Sequence, residues 1–464
     1  MDRSDYRHWA HRAADWSADY LETLRERPVR PRVGLGETAA KLAASPPESP
    51  EPMEAVFADF ERIVPDAMTH WQHPRFLAYF PANAAPASMI ADQLATAMAA
   101  QCMLWQTSPA ATEMEGRMID WLRQAVGLPE GFSGTLQDSA TTATLCAILT
   151  MRERATGWQA AEDGLAGGKR LRIYASAQNH SSIDKAVRLA GIGEANLVKV
   201  PTCSDHGMDP DALAAAIRAD REAGHVPAGV VACAGGTSIG AFDPVADVVA
   251  VAREAGLFVH VDAAWAGSAM ICPEFRQLWQ GAGEADSLVF NPHKWLGAQF
   301  ECSAHLVRDP AALVRTVGFR PTYLETLGQD GVVNYNEWSV PLGRRFRALK
   351  VWFLLRAYGL EGLRARIRNH VDWARMAAAR VAAMPQLELV TGPVLSLFTF
   401  AHRDGDAATR ALLERLNDDG RVYLTQTVHE GRFLIRFVTG QFDQTREDVD
   451  AACAAIEEMA RLRA

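Results

Sequence analysis

The sequence predicts an α/β protein with a mostly parallel sheet, because strand-like and helix-like segments alternate through the middle of the chain. A helical pattern that begins at Asp209-Pro210 has an N-cap residue followed by proline at the first helical position. Parallel sheets bind ligands at the carboxyl ends of their strands, so the polar residues just after each strand are the candidates for a site. The apolar runs typical of buried strands lie at 171–175, 197–200, 229–232, 257–261, 287–290 and 304–307.

The segments on either side predict two further parts. Trp9, Ala13, Trp16 and Tyr20 recur at helical spacing, and a proline-rich arm follows from 27 to 52. This arm packs either against a partner subunit or on its own chain. Beyond residue 345 we expect a smaller α+β unit, with helices near 345–358, 360–384, 407–417 and from 446, and strands near 387–390, 395–400, 422–426 and 433–437. The predicted domains are an N-terminal helical arm (1–80), a large domain (81–345) and a C-terminal small domain (346–464).

The composition limits the classes of protein to which the chain can belong. Of the 464 residues, 48% are hydrophobic and 22% are charged, which is ordinary for a globular protein. The formal net charge of -9 argues against a nucleic-acid or anionic-membrane binder. We see no secretory signal and no apolar run of membrane-spanning length. The seven cysteines contain no close pair, so we expect no metal site and a reducing, cytoplasmic setting.

Lys294 is the first candidate for chemistry. It lies in Asn291-Pro292-His293-Lys294-Trp295, directly after a predicted buried strand. A lysine between apolar runs usually extends its amine to the surface. At the carboxyl end of a strand it more plausibly faces a cleft, where a desolvated amine has a lowered pKa and attacks an aldehyde.

Two further strand ends carry candidates. Asp262 follows the run at 257–261, where a carboxylate could cap a helix or bind a metal. With a pyridine cofactor it could instead keep the ring nitrogen protonated, and the small Ala264 would leave room for the ring. His180 also follows a strand-like run. A lone histidine is usually structural, but here its ring could stack on the cofactor.

Two small-residue segments could bind the rest of such a cofactor. Ser139-Ala140-Thr141 opens a helical run after a glycine-containing loop at Gly131 and Gly134. Its hydroxyls either cap the helix or, with the free N–H groups, bind a phosphate. Thr237 lies in a second loop, which either contacts the cofactor or turns the chain. An amine, a ring-nitrogen partner, a stacking group and a phosphate cradle together indicate a pyridoxal-phosphate enzyme.

The sequence also resembles the aromatic-L-amino-acid decarboxylase family, the group II pyridoxal-phosphate decarboxylases, over nearly the whole chain. The string Asn291-Pro292-His293-Lys294-Trp295 is highly specific to this group. Other motifs that carry the resemblance are Thr69-His70-Trp71, Ala78-Tyr79-Phe80-Pro81, Ser108-Pro109-Ala110, His180-Ser181-Ser182, His260-Val261-Asp262-Ala263-Ala264 and Pro341-Leu342-Gly343-Arg344.

The resemblance implies a fold type I, aminotransferase-like large domain and pyridoxal 5'-phosphate as the cofactor. It implies Lys294 as the Schiff-base lysine, Asp262 as the ring-nitrogen partner, and His180 stacked on the ring near the substrate carboxylate. The residues near the phosphate or beside the cofactor would be Ser139, Ala140, Thr141, Thr237, Asn291 and His293. Family members are homodimers whose N-terminal segments wrap around the partner, so we expect a homodimer with its active site at the subunit interface.

The resemblance also bears on the reaction. Tyr323 corresponds to the tyrosine of a mobile family loop that gives a proton to the α-carbon after carbon dioxide leaves. Relatives with phenylalanine there tend toward oxidative deamination to an aldehyde, so the retained tyrosine predicts an amine product. The alternatives are an aldehyde synthase, a decarboxylase of a non-aromatic acid such as glutamate, and a non-enzymatic protein on the same fold.

An aromatic L-amino acid is the expected substrate: tryptophan, phenylalanine, tyrosine or a hydroxylated derivative. Gly343 stands where relatives that favour histidine or tyrosine often have serine, which leaves room for an indole. Ala82 and Met103 replace the threonine and phenylalanine common in animal relatives. The hydroxyl lost at position 82 removes a possible partner for a catechol, which favours tryptophan or phenylalanine over dihydroxyphenylalanine. The other candidates for the substrate pocket are Trp71, Tyr79, Phe80 and Pro81. They would either line an apolar, aromatic pocket suited to a flat ring or belong to ordinary core packing.

Overall fold

The structure is a computed structural model that describes residues 2–319 and 331–462. The chain divides into two compact units. The first, unit 1, comprises Met1–Pro81, Arg375–Val390 and Thr399–Ala464, and the second, unit 2, comprises Ala82–Ala374 and Thr391–Phe398. The three-part division predicted from the sequence stays a prediction.

A seven-stranded sheet forms the centre of unit 2, in the order β1-β7-β6-β5-β4-β2-β3. Its five strands from β6 to β3 run parallel, and only β7 is antiparallel to its neighbours β6 and β1. The predicted α/β class with a mostly parallel sheet is thus confirmed. The strands are β1 Ser133–Gln137, β2 Leu171–Ser176, β3 Leu197–Val200, β4 Val226–Cys233, β5 Phe258–Asp262, β6 Ser287–Phe290 and β7 Ser303–Val307.

Helices cover this sheet because their apolar faces need burial. Ile148 and Val187, from two of these helices, are fully buried against Ile173 and Val231 of the strands. The predicted N-cap Asp209 accepts hydrogen bonds from the amides of Asp211 and Ala212. The helices are α3 Pro86–Ala97, α4 Pro109–Val126, α5 Ala140–Ala155, α6 Ala160–Asp163, α7 Ser182–Leu189, α8 Pro210–Glu222, α9 Val245–Glu254 and α10 Pro310–Val317.

The segment around Gly134 was wrongly predicted to be a loop, since it forms the edge strand β1. A Cβ atom at Gly134 would lie 2.1 Å from the carbonyl oxygen of His305 on β7. Glycine therefore permits a close approach of two strands here, whereas in the sequence it suggests a turn.

A long helix, α11 Arg347–Ala382, corresponds to two predicted helices. Gly359 has non-helical backbone angles (φ 61°, ψ 166°) and marks a kink between them. After α11 a four-stranded sheet has the order β10-β11-β9-β8, with β8 Leu387–Val394, β9 Leu397–His402, β10 Thr425–His429 and β11 Arg432–Val438. The strand predicted at 422–426 begins later, because the turn at Glu430-Gly431, with positive φ at both residues, fixes the pairing of β10 with β11.

Unit 1 also contains the N-terminal helices α1 Arg3–Glu22 and α2 Met53–Ile63, together with α12 Asp406–Asp419 and α13 Arg446–Arg461. The predicted aromatic stripe of α1 contacts α2. Trp9 lies 5.6 Å from Phe57, and Trp16 lies 4.8 Å from Phe60, measured between ring centroids. Across the described ranges, no helix is long and apolar enough to cross a membrane.

Several histidines are buried in the two units, and burial lowers their pKa. It lowers the pKa of His73 and His293 to about 3 and that of His305 to about 4, while the pKa of His260 falls well below 6.5. An unfolded histidine titrates near 6.5, so below that pH the unfolded chain binds more protons than the folded one. The folded state must therefore lose stability as the pH falls through 6.5 toward these lowered values.

We expect the free energy of unfolding to fall by about 1.4 kcal/mol per pH unit for each such histidine in this window. Urea unfolding at neutral pH and near pH 5 measures the loss. The His305→Gln variant removes one titrating group and should reduce the slope by that amount, whereas an unchanged slope would contradict the assignment.

Candidate active site

A cavity of about 180 Å³ lies in unit 2, where the carboxyl ends of β2, β4, β5 and β6 approach the N-terminus of α5. Every residue predicted to hold the cofactor lines it: Ser139, Ala140, Thr141, His180, Thr237, Asp262, Ala264, Asn291, His293 and Lys294. The structure thus brings together side chains that are up to 155 positions apart, from Ser139 to Lys294. The remaining lining residues are Ser182, Cys233, Gly235, Gly236, Trp265 and Phe300.

Lys294 lies in the single π-helical turn Pro292–Leu296, which follows β6. The turn closes with a hydrogen bond of 3.0 Å from the amide of Gly297 to the carbonyl of Pro292, and Gly297 has a positive φ of 103°. Trp295 is buried and donates from its indole Nε1 to Nδ1 of His370 at 2.9 Å. The residue next to Lys294 is therefore fixed to α11.

Asp262 is the last residue of β5 and is 7% exposed. Its Oδ1 atom accepts a hydrogen bond of 3.0 Å from the amide of Ala264, and its carbonyl accepts one of 2.9 Å from the amide of Ala234. These bonds fix the carboxylate at the end of the strand, at the wall of the cavity.

His180 has its proton on a defined nitrogen. Its Nδ1 atom accepts a hydrogen bond of 3.1 Å from the amide of Ser182 and lies 2.9 Å from the Ser182 hydroxyl. Because a backbone amide can only donate, Nδ1 must be unprotonated, and the neutral ring carries its proton on Nε2. Burial and the Lys294 cation lower the pKa of His180, against the attraction of Asp262. His180 is therefore a neutral Nε2–H donor.

His293 follows the same rule. Its Nδ1 atom accepts a hydrogen bond of 2.9 Å from the amide of Cys302, and burial keeps the ring neutral by lowering its pKa to about 3. The ring of Phe300 packs edge-on at 4.9 Å. Asn291 accepts a hydrogen bond of 2.7 Å at Oδ1 from Ser303. His293 and Asn291 are thus oriented by hydrogen bonds to Cys302 and Ser303, which lie outside the cavity lining.

The N-terminus of α5 supplies the other polar wall. Ser139 is the N-cap, and its hydroxyl accepts a hydrogen bond of 3.2 Å from the amide of Thr142. The first amides of a sixteen-residue helix, with its dipole, suit an anion. The predicted N-cap and the predicted phosphate cradle are therefore compatible.

Trp265 holds the second small-residue loop, which contains Gly235 and Thr237. It is buried, and its Nε1 atom donates to the carbonyl of Gly235 at 2.7 Å. Gly235 has a φ of 103°, and a Cβ there would lie 2.5 Å from Cβ of Ala266. The loop can therefore follow the cavity wall only with glycine at this position.

The residues predicted for the substrate lie in both units. In unit 1, the ring of Trp71 stacks on Tyr79 at 5.7 Å, and the guanidinium of Arg436 lies 5.2 Å from the ring of Phe80, which precedes Pro81. In unit 2, which begins at Ala82, Met103 accepts a backbone bond of 3.1 Å from Asn336, and Gly343 lies against the Gln101 amide. Their assembly into one pocket stays a prediction. Tyr323 lies outside the described residues.

Sequence reasoning missed several residues of the site. Ser182 could have been found from its place two residues after His180. No signal in the sequence indicated Phe300 in the cavity lining or His370 as the partner of Trp295, because these contacts depend on the tertiary fold.

The chemistry of the cavity fits pyridoxal phosphate. Lys294 supplies an amine, Asp262 a buried carboxylate, His180 a flat neutral ring, and α5 an anion-binding helix end. Fold and site together define a pyridoxal-phosphate-dependent enzyme of fold type I.

Comparison with known proteins narrows this class. The model of the pyridoxal-dependent decarboxylase conserved domain matches residues 36–403. Aromatic-L-amino-acid decarboxylase of Sus scrofa is 39% identical over 451 residues, which cover 94% of this chain and 92% of that protein. The chain belongs to the pyridoxal-dependent decarboxylase family and is a carboxy-lyase that uses pyridoxal phosphate, so the predicted resemblance, cofactor and enzyme class are confirmed.

Two solved structures extend the comparison. The crystal structure of Oryza sativa TDC with PLP and tryptamine has a TM-score of 0.96 and 37% identity, covering 99% of this chain and 98% of that one. That of Rhodiola rosea 4-hydroxyphenylacetaldehyde synthase has a TM-score of 0.92 and 33% identity, covering 99% of each. The fold of this chain is therefore similar both to that of an enzyme whose crystal structure contains tryptamine and to that of an aldehyde synthase.

Proposed function

We propose that this enzyme converts an aromatic L-amino acid to the corresponding amine and carbon dioxide. The observation that carries the proposal is that Lys294 and Asp262 line one cavity together with the N-terminus of α5. The aromatic substrate is supported by the similarity to the Sus scrofa decarboxylase and by the aromatic cluster of Trp71, Phe76 and Tyr79.

The residues divide the work of holding the cofactor. Lys294 would bind it through its amine, and Asp262 would face the ring nitrogen and keep a proton on it. Ser139, Ala140 and Thr141 at the start of α5 would hold the phosphate with Asn291 and His293, and Thr237 would lie beside the cofactor. When bound, pyridoxal phosphate supplies an electron sink for the electron pair left on the α-carbon.

His180 would hold the substrate carboxylate as a neutral donor. A cationic partner would stabilise the carboxylate that has to leave, and so would oppose its loss. A neutral Nε2–H orients the group with a smaller ground-state cost. The overall reaction breaks the bond from the α-carbon to the carboxylate and adds one proton to that carbon, and we assign this proton transfer to Tyr323.

An aldehyde synthase is the second candidate, supported by the fold similarity to the Rhodiola rosea enzyme. The retained Tyr323 favours the amine. A decarboxylase of glutamate would need a buried cation for the side-chain carboxylate, and in the described lining of the cavity the only cationic side chain is Lys294.

A panel of tryptophan, phenylalanine, tyrosine, dihydroxyphenylalanine and glutamate tests the proposal. We expect equal amounts of amine and carbon dioxide, without hydrogen peroxide, and a higher kcat/KM for tryptophan or phenylalanine than for dihydroxyphenylalanine. Carbon dioxide, ammonia and peroxide together would instead identify an aldehyde synthase. Turnover of glutamate alone would exclude an aromatic substrate.

We also propose a cytoplasmic homodimer with the active site at its interface and the segment 1–80 on the partner. Ile90, Leu94 and Met98 support this, because they form an exposed apolar row at helical spacing along and just after α3. The unpaired cysteines support a reducing compartment. Light scattering of the holoenzyme measures its mass, and a monomer would contradict the proposal.

A further inference from the structure

The segment 83–88, which leads into α3, runs along the turn that carries Lys294. The amide of Asn83 donates to the carbonyl of His293 at 3.0 Å, and its side-chain Nδ2 atom donates to the carbonyl of Lys294 at 2.7 Å. Two residues on, the amide of Ala85 donates to the carbonyl of Gly297 at 2.9 Å. All of these residues belong to unit 2.

The carbonyls of this turn need such partners. A helix of one turn has too few residues to bond its own last carbonyl groups, and a buried carbonyl without a donor is costly. The amides of Gly297 and Ala298 both donate to the carbonyl of Pro292. The next amide, that of Gln299, donates to the hydroxyl of Ser88, which lies outside the turn. The amides that a continuing helix would supply to His293 and Lys294 are thus used elsewhere.

Asn83 is suited to this task by its chemistry and its burial. It is 1% exposed, so water does not compete for the bond. A carbonyl can only accept, so the amide nitrogen of Asn83 must face Lys294. An aspartate at this position has the same shape, but it would place a carboxylate oxygen against the carbonyl oxygen of Lys294, and neither atom can donate.

We propose that Asn83 is a positioning residue for Lys294: its backbone and side-chain donors fix the peptide that carries the cofactor-binding amine. The inference rests on the role of Lys294 proposed above. Asn83 acts only through the backbone of the turn, so its loss should loosen the cofactor and the turn while the catalytic side chains stay in place.

Asn83→Ala and Asn83→Asp test the proposal in the holoenzyme. We expect Asn83→Ala to release pyridoxal phosphate about tenfold faster, the size of one lost bond to a buried carbonyl. Asn83→Asp should release it faster still. Hydrogen exchange of the amides in 292–299 should rise in both variants, and this readout does not depend on turnover.

Asn417→Ala is the matched control. Asn417 also bonds a backbone carbonyl, that of Leu424 at 3.1 Å, but lies in unit 1. The Asn417→Ala variant should lower the melting temperature without changing the rate at which the cofactor is released. If both Asn83 variants release cofactor and exchange at wild-type rates, the proposal is overturned, even where their melting temperatures fall.

The proposed function fails in a different way. Borohydride reduction followed by mass spectrometry of the wild-type protein should place the cofactor on the peptide that contains Lys294. A label on another peptide would overturn the role of Lys294 and this inference with it. A label on Lys294, with unchanged Asn83 variants, would overturn this inference alone.

Discussion

Lys294→Ala is expected to abolish decarboxylation, lowering kcat on the order of a thousandfold or more, and to remove the visible absorbance of the cofactor joined to the lysine amine. The amine of Lys294 is the only one that lines the cavity in the described part of the chain. Without it, the cofactor would be held only by polar contacts at α5 and Asp262. Absorbance spectra of the purified protein and release of carbon dioxide measure the two effects.

A second lysine provides the control. Lys199 lies on β3 and pairs with Asp184 at 2.9 Å, outside the cavity lining. Lys199→Ala should retain the spectrum and the activity. If Lys294→Ala keeps wild-type absorbance and turnover, the assignment of the cofactor lysine is wrong.

Much of this site could be predicted from the sequence, because a parallel sheet places the ends of its strands at one edge. Asp262 and Lys294 each follow an apolar run that is readable without a structure, and the helix start at Ser139 has a recognisable cap. Those local signals were sufficient to bring distant residues into one expected cavity.

Other features depend on contacts that no local pattern encodes. Asn83 bonds to Lys294 across 211 positions, and the protonation of His180 is set by where the amide of Ser182 points. Gly134 gave a misleading signal, since glycine in a sequence indicates a turn more often than a close strand pair. Contacts of this kind depend on how distant segments pack together, and so they could not be predicted from the sequence.

The buried ion pair between Glu115 and Arg344 carries the second large prediction. Their side chains are 3% and 1% exposed. One oxygen of Glu115, on α4, accepts hydrogen bonds from Arg344 and, at 2.8 Å each, from the hydroxyl of Thr135 and the amide of Leu136 on β1. The pair thus joins α4 and the edge strand to the segment that contains Gly343.

Removing one partner leaves the other charge buried and uncompensated. We expect Glu115→Leu or Arg344→Met alone to lower the free energy of unfolding of unit 2 by about 3 to 5 kcal/mol. The double variant Glu115→Leu with Arg344→Met should lose less than the sum, because no lone charge remains. Urea unfolding of the holoenzyme gives all three values and hence the coupling.

An exposed pair of the same chemistry shows whether burial is the cause. Arg368 bonds Glu274, and both side chains are 44% exposed. Water already solvates these charges, so Arg368→Ala should lower the free energy of unfolding far less than Arg344→Met does. Equal losses for the exposed and the buried pair would mean that desolvation is not the source of the effect. A larger loss at Arg344 would instead mean that the position of Gly343, and any substrate contact made there, depends on a charge held away from water.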